Sequence, residues 1–203
     1  MLGTTLSAAA FLGHMADELR RIDPRQVQAL ADLMHDKFLA GRLMFVIGNG
    51  GSGSNASHFT EDVGKQALKL PEDLHHDLKK RVRILSLTDN TAYITAWAND
   101  EGFDRVFVEQ LKNLAQPGDL LIAISGSGNS PNILAAVDWA KRSGLATFGC
   151  TGFAGGELRT RADSGLHIDS TDMGVVETLH LAAFHWVVDD LHRRISTDLP
   201  APA

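Results

Sequence analysis

Two glycine- and serine-rich stretches carry the residues best suited to hold an anion. The first is Val46-Ile47-Gly48-Asn49-Gly50-Gly51-Ser52-Gly53-Ser54, and the second is Ile124-Ser125-Gly126-Ser127-Gly128-Asn129-Ser130-Pro131. Each follows a short apolar run and precedes a helical pattern. Glycine lets backbone N–H groups approach an anion, serine adds hydroxyl donors, and the start of the next helix adds positive potential. Neither stretch contains Lys or Arg. The pair therefore suits a ligand of modest charge, a sugar phosphate rather than a triphosphate. The first stretch also matches GxGxxG, a weak signal on its own. A dinucleotide site wants an acidic residue roughly 20 residues on, and Asp89 comes about twice as late. A tight turn without a ligand explains one stretch but hardly both, although Ser130 before Pro131 is also an ordinary helix cap.

A second group of residues has the chemistry to move protons or hold a metal. His58 and Asp62, at i and i+4, share one helix face. Glu177 and His185 share a face two turns apart on the last helix, with His180 nearby. Two histidines and two carboxylates match a divalent-metal donor set, and a carboxylate–histidine pair can move protons. Spacing alone favours structural histidines and solvated carboxylates, and no HExxH or CxxC pattern is present. Asn99 and Asp100 read at least equally as turn formers. His75 and His76 read as exposed loop residues. Trp97 and Trp186 sit in helical apolar stripes and read as core or subunit interface.

The elements that must position these residues follow from periodicity. Ala9, Phe11, Leu12, Met15, Leu19 and Ile22 recur at helical spacing. Asp23-Pro24 starts a second helix carrying Val27, Leu30, Leu33, Met34 and Phe38. Leu43–Ile47 reads as a strand, with Ser54 or Asn55 capping the helix of His58 and Asp62. Residues 68–82 are polar and irregular, and Arg83–Leu87 is the second strand. Thr91–Asn99 and Phe103–Ala115 read as helices. Asp119–Ser125 is nearly continuous and apolar, as expected of a strand buried on both faces. Pro131 takes the first position of the next helix. Ala146–Cys150 and Leu166–Ile168 complete five strands, and a long helix over Val175–Ile195 closes the chain. This order predicts an α/β fold, a doubly wound five-stranded parallel sheet with helices on both faces. Both Gly/Ser stretches follow strand carboxyl ends, where such sheets bind ligands.

At 203 residues the chain is long enough for one α/β domain with a full core. Its 44% hydrophobic content argues against disorder. The net charge of −6, with Lys and Arg dispersed, argues against a nucleic-acid surface. The one basic cluster, Lys79-Lys80-Arg81-Val82-Arg83, reads as a solvated edge. Cys150 is the only cysteine, so no intrachain disulfide is possible, and it reads as a buried structural thiol. No apolar stretch is long enough to span a bilayer and no signal-peptide pattern is present. The expected location is the cytoplasm.

Several of these residues together resemble a known family. Gly48 to Ser52 followed by His58-Phe59, Asn99-Asp100 with Gly102-Phe103, Ser125 to Ser130, and Thr151-Gly152 near Gly155-Gly156 are similar to the sugar isomerase (SIS) domain. Within it they most resemble the phosphoheptose isomerases. The resemblance covers nearly all of residues 1–203 as one domain, with an N-terminal helical segment (1–40) and an α/β core with the C-terminal helix (41–197). It implies an aldose–ketose isomerase that converts sedoheptulose 7-phosphate into glycero-manno-heptose 7-phosphate through an enediol. It also implies a homotetramer with active sites between subunits, and zinc in each site. Carried over by motif, His58, Asp62, Glu177 and His185 are the metal ligands, with Asp62 as base and His185 as acid. Asn49, Gly51, Ser52, Asn99, Asp100, Ser125, Ser127, Asn129, Ser130 and Glu177 fall at substrate-contacting positions. No direct contact with nucleic acid or membrane is expected. The chain departs from the family in having Asp62 for Glu, Glu177 for Gln, Gly126 for Thr, Gly174 for Asp, and Lys65 one residue before an Arg position. Such changes also fit two relatives: a non-catalytic branch that binds the replication initiator DnaA, and domains for another phosphosugar.

Overall fold

Strands β1 (Met44–Gly48), β2 (Ile84–Ser86), β3 (Leu120–Ser125), β4 (Ala146–Thr151) and β5 (Ser164–His167) form one parallel sheet in the order β2-β1-β3-β4-β5. This is a computed structural model, and it describes residues 3, 5–66 and 81–198. The helices are α1 (Ala8–Arg21), α2 (Pro24–Leu39), α3 (Gly50–Gln66), α4 (Thr91–Asp100), α5 (Val108–Leu114), α6 (Pro131–Arg142), α7 (Leu158–Arg161) and α8 (Met173–Asp198). His75, His76, Lys79 and Lys80 lie outside the described residues.

Successive strand side chains point to opposite faces, so each apolar run feeds two cores. Met44, Val46, Leu120 and Ile122 pack under α2, α3 and α8 with Leu30, Met34, Phe59, Leu179 and Phe184. Phe45, Ile47, Leu121 and Ala123 pack against α5, α6 and α7 with Leu111, Ile133, Val137 and Leu158. Burying one such large side chain contributes about 1.5–3 kcal/mol. This double burial is the reason β1 and β3 read as unbroken apolar runs.

Local chemistry sets most of the helix starts. The Ser7 side chain accepts from the Ala10 N–H, and Asp23 caps α2 with Pro24 in its first turn. Two boundaries and one cap differ from the sequence reading. The helix expected after Ser54 or Asn55 begins at Gly50, because Gly50 takes φ +54° and the Gly53 N–H already bonds to the Asn49 carbonyl. The helix expected over Phe103–Ala115 divides into a 3-10 turn at Phe103–Arg105 and α5, since Gly102 at φ +107° redirects the chain. Ser130 precedes α6 with no side-chain cap, its hydroxyl lying instead 3.3 Å from Ser125 Oγ.

The sheet order reverses at β1, whose neighbours β2 and β3 are reached in opposite directions. Connections therefore diverge and leave a crevice beyond the carboxyl ends of β1 and β3. Gly48 and Ile124 are register partners there, so the two Gly/Ser stretches form the crevice's lips. On one face α3 and α8 lie side by side. Phe59 stacks on Phe184 with ring centroids 4.5 Å apart, and Asn55 Nδ2 donates to the Glu177 carbonyl at 2.8 Å.

Candidate active site

Between the two loops lies a cavity of about 150 Å³, lined by Asn49, Ser52, Ser125, Gly126, Ser127, Ser130, Met173 and Glu177. Serine hydroxyls converge on it from both loops, and neither Lys nor Arg lines it. Each loop is held by close backbone packing. A Cβ on Gly48 would lie 2.4 Å from the Ser52 carbonyl oxygen, so only glycine lets α3 start so near the strand. Gly128 takes φ +68°, and a Cβ there would lie 1.9 Å from the Gly155 carbonyl oxygen. The Gly155-Gly156 turn thus braces the second loop from behind. Asn49 and Asn132 tie the two lips together by reciprocal amide bonds, both 2.9 Å.

Glu177 projects from the first turns of α8 into this cavity. A Cβ on Gly51 would sit 2.3 Å from its carboxylate, so the glycine makes room for the acid. Two turns further along α8, His185 Nδ1 lies 3.3 Å from Asp62 Oδ2, and His58 Nε2 lies 3.3 Å from the same oxygen. The two imidazoles meet edge to face at 5.1 Å. His58, Asp62 and His185 therefore form one cluster with donor atoms all within 4.8 Å of one another. A tetrahedral divalent ion with bonds of about 2.0–2.2 Å holds its ligand atoms about 3.4 Å apart, so the 3.3 Å spacings fit such an ion. Glu177 is not in this cluster. It stands about 12 Å from His185 along the helix, from the rise per residue.

The remaining expected residues divide. Ser52, Ser125, Ser127, Ser130, Asn49 and Glu177 meet at the cavity, and Gly51 abuts it. Asn129 holds the brace instead, accepting from the Glu157 N–H at 3.0 Å. Asn99 and Asp100 bond to each other at 2.8 Å and line neither this cavity nor its neighbour of about 330 Å³ beside Gly53, Ser57, Thr88 and Phe103. Asp89, weighed as a ribose ligand, accepts from Ser57 and Thr88. Lys65 pairs with Glu61 at 2.7 Å. His180 is separate from His185: it is fully buried, with Nε2 3.2 Å from the Thr151 carbonyl. Burial pushes its pKa down to about 4 and keeps it neutral. Cys150 is buried and its thiol is pushed up by burial, which fits a structural role. Trp97 packs on the second core, whereas Trp186 is 45% exposed. Among the described residues no helix is long and apolar enough to cross a membrane.

The SIS domain family matches residues 10–152. The chain belongs to the SIS domain family. This SIS protein is 34% identical over 171 residues to the phosphoheptose isomerase of Geobacter sulfurreducens, covering 84% of this chain and 86% of that one. It is 37% identical over 164 residues to the phosphoheptose isomerase of Trichlorobacter lovleyi, covering 80% and 79%. Its fold superposes on the structure of phosphoheptose isomerase from Neisseria gonorrhoeae with a TM-score of 0.80 at 28% identity, covering 91% of this chain and 95% of that chain.

Sequence reasoning on this SIS domain missed Asn132 and Met173. Asn132 is 1% exposed and lies in the first turn of α6, a position where Asn signals nothing beyond a helix start. Met173 fills the space beside Gly126, where a Cβ would lie 2.5 Å from its sulfur. Asn132 is revealed only by its pairing with Asn49 across the fold, and Met173 only by the packing of α8 against the second loop.

Proposed function

We propose that this protein isomerises a phosphorylated seven-carbon sugar, converting sedoheptulose 7-phosphate into glycero-manno-heptose 7-phosphate. The observation that carries this reading is the division of labour along α3 and α8. Their N-terminal ends frame the serine-lined cavity, and further along the same pair Asp62 sits between His58 and His185. An extended sugar phosphate can thus be gripped at one end while its carbonyl end meets a carboxylate and two imidazoles. The phosphoheptose isomerases named above support the substrate class. The convergence of His58, Asp62 and His185 favours catalysis over a purely partner-binding role.

The C1 protons of the ketose are acidified by the adjacent C2 carbonyl. Asp62 takes one as the C1–C2 double bond forms, while His185 donates a proton to the C2 oxygen, giving the enediol. Asp62 then returns its proton to C2 as His185 takes the C1 hydroxyl proton, giving the aldehyde and restoring both residues. Ser52, Ser125, Ser127 and Ser130 hold the phosphate, and this remote binding positions the reacting carbons. Zinc held by His58, Asp62 and His185 would supply charge stabilisation at the sugar oxygens when bound, whereas Glu177 stands with the serine-lined cavity.

His58 and His185 are 45% and 51% exposed, which suits a site completed by a neighbouring subunit of a homotetramer. The single buried Cys150 and a phosphorylated substrate fit the cytoplasm. The test is turnover in D2O. Solvent deuterium enters C2 of the aldose to the extent that the protonated Asp62 exchanges with solvent before it returns its proton, and Asp62→Asn stops both turnover and this incorporation. Undiminished turnover in Asp62→Asn would overturn this route.

A further inference from the structure

A separate hollow of about 200 Å³ lies at the β5 edge of the sheet, lined by parts of β4, β5 and α7 and by Gln26 of α2. Its floor is bare because two glycines face each other, Gly149 and Gly165 being register partners across β4 and β5. A Cβ on Gly149 would lie 3.1 Å from the Leu158 side chain, and one on Gly165 would lie 2.3 Å from the Gly149 carbonyl oxygen. Next along the same strands, Thr151 faces His167. The His167 ring is anchored, its Nδ1 3.0 Å from Thr151 Oγ1, and its backbone N–H donates to Gln26 Oε1 at 2.8 Å. Among the described residues Nε2 has no hydrogen-bond partner.

Arg159 supplies the second nitrogen-bearing arm of this hollow. Its stem runs over Gly155, where a Cβ would lie 2.4 Å from Arg159 Cδ. Among the described residues no carboxylate pairs with it, because the nearby acids are engaged elsewhere. Asp163 is held by Lys141 at 2.9 Å and by the Thr147 N–H and hydroxyl at 2.9 and 2.7 Å. Asp169 pairs with Arg21 at 2.6 Å. Burial holds His167 below its ordinary pKa, with the Arg159 charge adding to the effect and Asp169 opposing it. From α8, the neutral His180 is the other titratable group that senses His167.

We propose that this hollow binds a phosphate group, as a small phosphate monoester or as inorganic phosphate, between the Arg159 guanidinium and His167 Nε2. The guanidinium offers a planar fork of donors suited to phosphate oxygens, and a bound anion favours the imidazolium form of His167. Gly149, Gly165, Ser164 and Asp163 also line the hollow, the Asp163 carboxylate being engaged by Lys141 and Thr147. This site is distinct from the serine-lined cavity and does not depend on the isomerase reading.

The test is a pH titration of the histidine ring resonances of the full chain by NMR, with His167 assigned from the spectrum of His167→Gln. It is run in chloride, in inorganic phosphate and in glycerol 3-phosphate at matched ionic strength. Phosphate or its monoester is expected to raise the His167 pKa saturably, a tenfold preference for the imidazolium form reading as about one unit. Arg159→Gln should abolish the shift, and Ser127→Ala should keep it. Saturation at lower concentration by glycerol 3-phosphate assigns a monoester, and by inorganic phosphate the free ion. An unmoved His167, a shift that survives Arg159→Gln, or one lost in Ser127→Ala would overturn the proposal.

Discussion

Asp62 is the residue on which the proposed chemistry turns, because its carboxylate oxygen is shared by His58 and His185 at equal distance. Asp62→Asn removes the proton acceptor but keeps the shape, and His185→Ala removes the acid. Each should lower kcat by about 10²–10⁴-fold while circular dichroism stays unchanged. Near-normal rates in either would withdraw its assigned role. Ser127→Ala removes one hydroxyl from the phosphate cavity, and a hydrogen bond to a charged group is worth about 1.5–3 kcal/mol. The expected result is a KM raised roughly tenfold or more with kcat little changed, and an unaltered KM would move the phosphate elsewhere. Elemental analysis should find about one divalent metal per chain, falling sharply in His58→Ala. The i, i+4 pairing of His58 with Asp62 was legible in the sequence. Their meeting with His185 was expected from family resemblance alone, because it depends on α3 and α8 packing side by side across more than a hundred intervening residues.

At the scale of elements, the two loops work because glycines permit contacts that no other residue allows. Gly128→Ala places a methyl against the Gly155 carbonyl and forces an alanine into the left-handed region. It should cost more than about 1 kcal/mol and lower Tm by about 2–4 °C per kcal/mol. A calorimetric Tm equal to that of the unaltered protein would show that the brace between the two turns is loose. The strands, the break at Asp23-Pro24 and the long closing helix could be read from periodicity and caps, because each depends on local spacing. The early start of α3 and the division after Gly102 could not. Both depend on backbone angles that only glycine adopts freely, and a lone glycine in sequence does not reveal which angle it takes. Glu177 shows the same limit. Its helix face and its two-turn separation from His185 were legible, whereas its place beside Gly51 follows from the packing of α8 on the first loop.

The whole molecule joins two cores across one sheet, and its stability should carry the signature of the buried His180. In the unfolded chain this imidazole titrates near 6.5, and in the fold near 4. Between these values the unfolded state binds more protons, so stability is lost as pH falls from about 6.5 toward 4. The urea midpoint should drop between pH 7 and pH 5, and drop less in His180→Gln. An equal drop in both proteins would show that His180 does not govern the loss. The parallel sheet follows from the alternation of strands with helices, and the reversal of its order at β1 explains why two distant Gly/Ser stretches line one cavity. The most direct test of the account is incubation of the purified protein with sedoheptulose 7-phosphate, with and without zinc, while aldose formation is followed by NMR. Appearance of the heptose 7-phosphate aldose, with loss of activity on chelation, is the predicted result. A folded, zinc-supplied protein that leaves the ketose unchanged would contradict it.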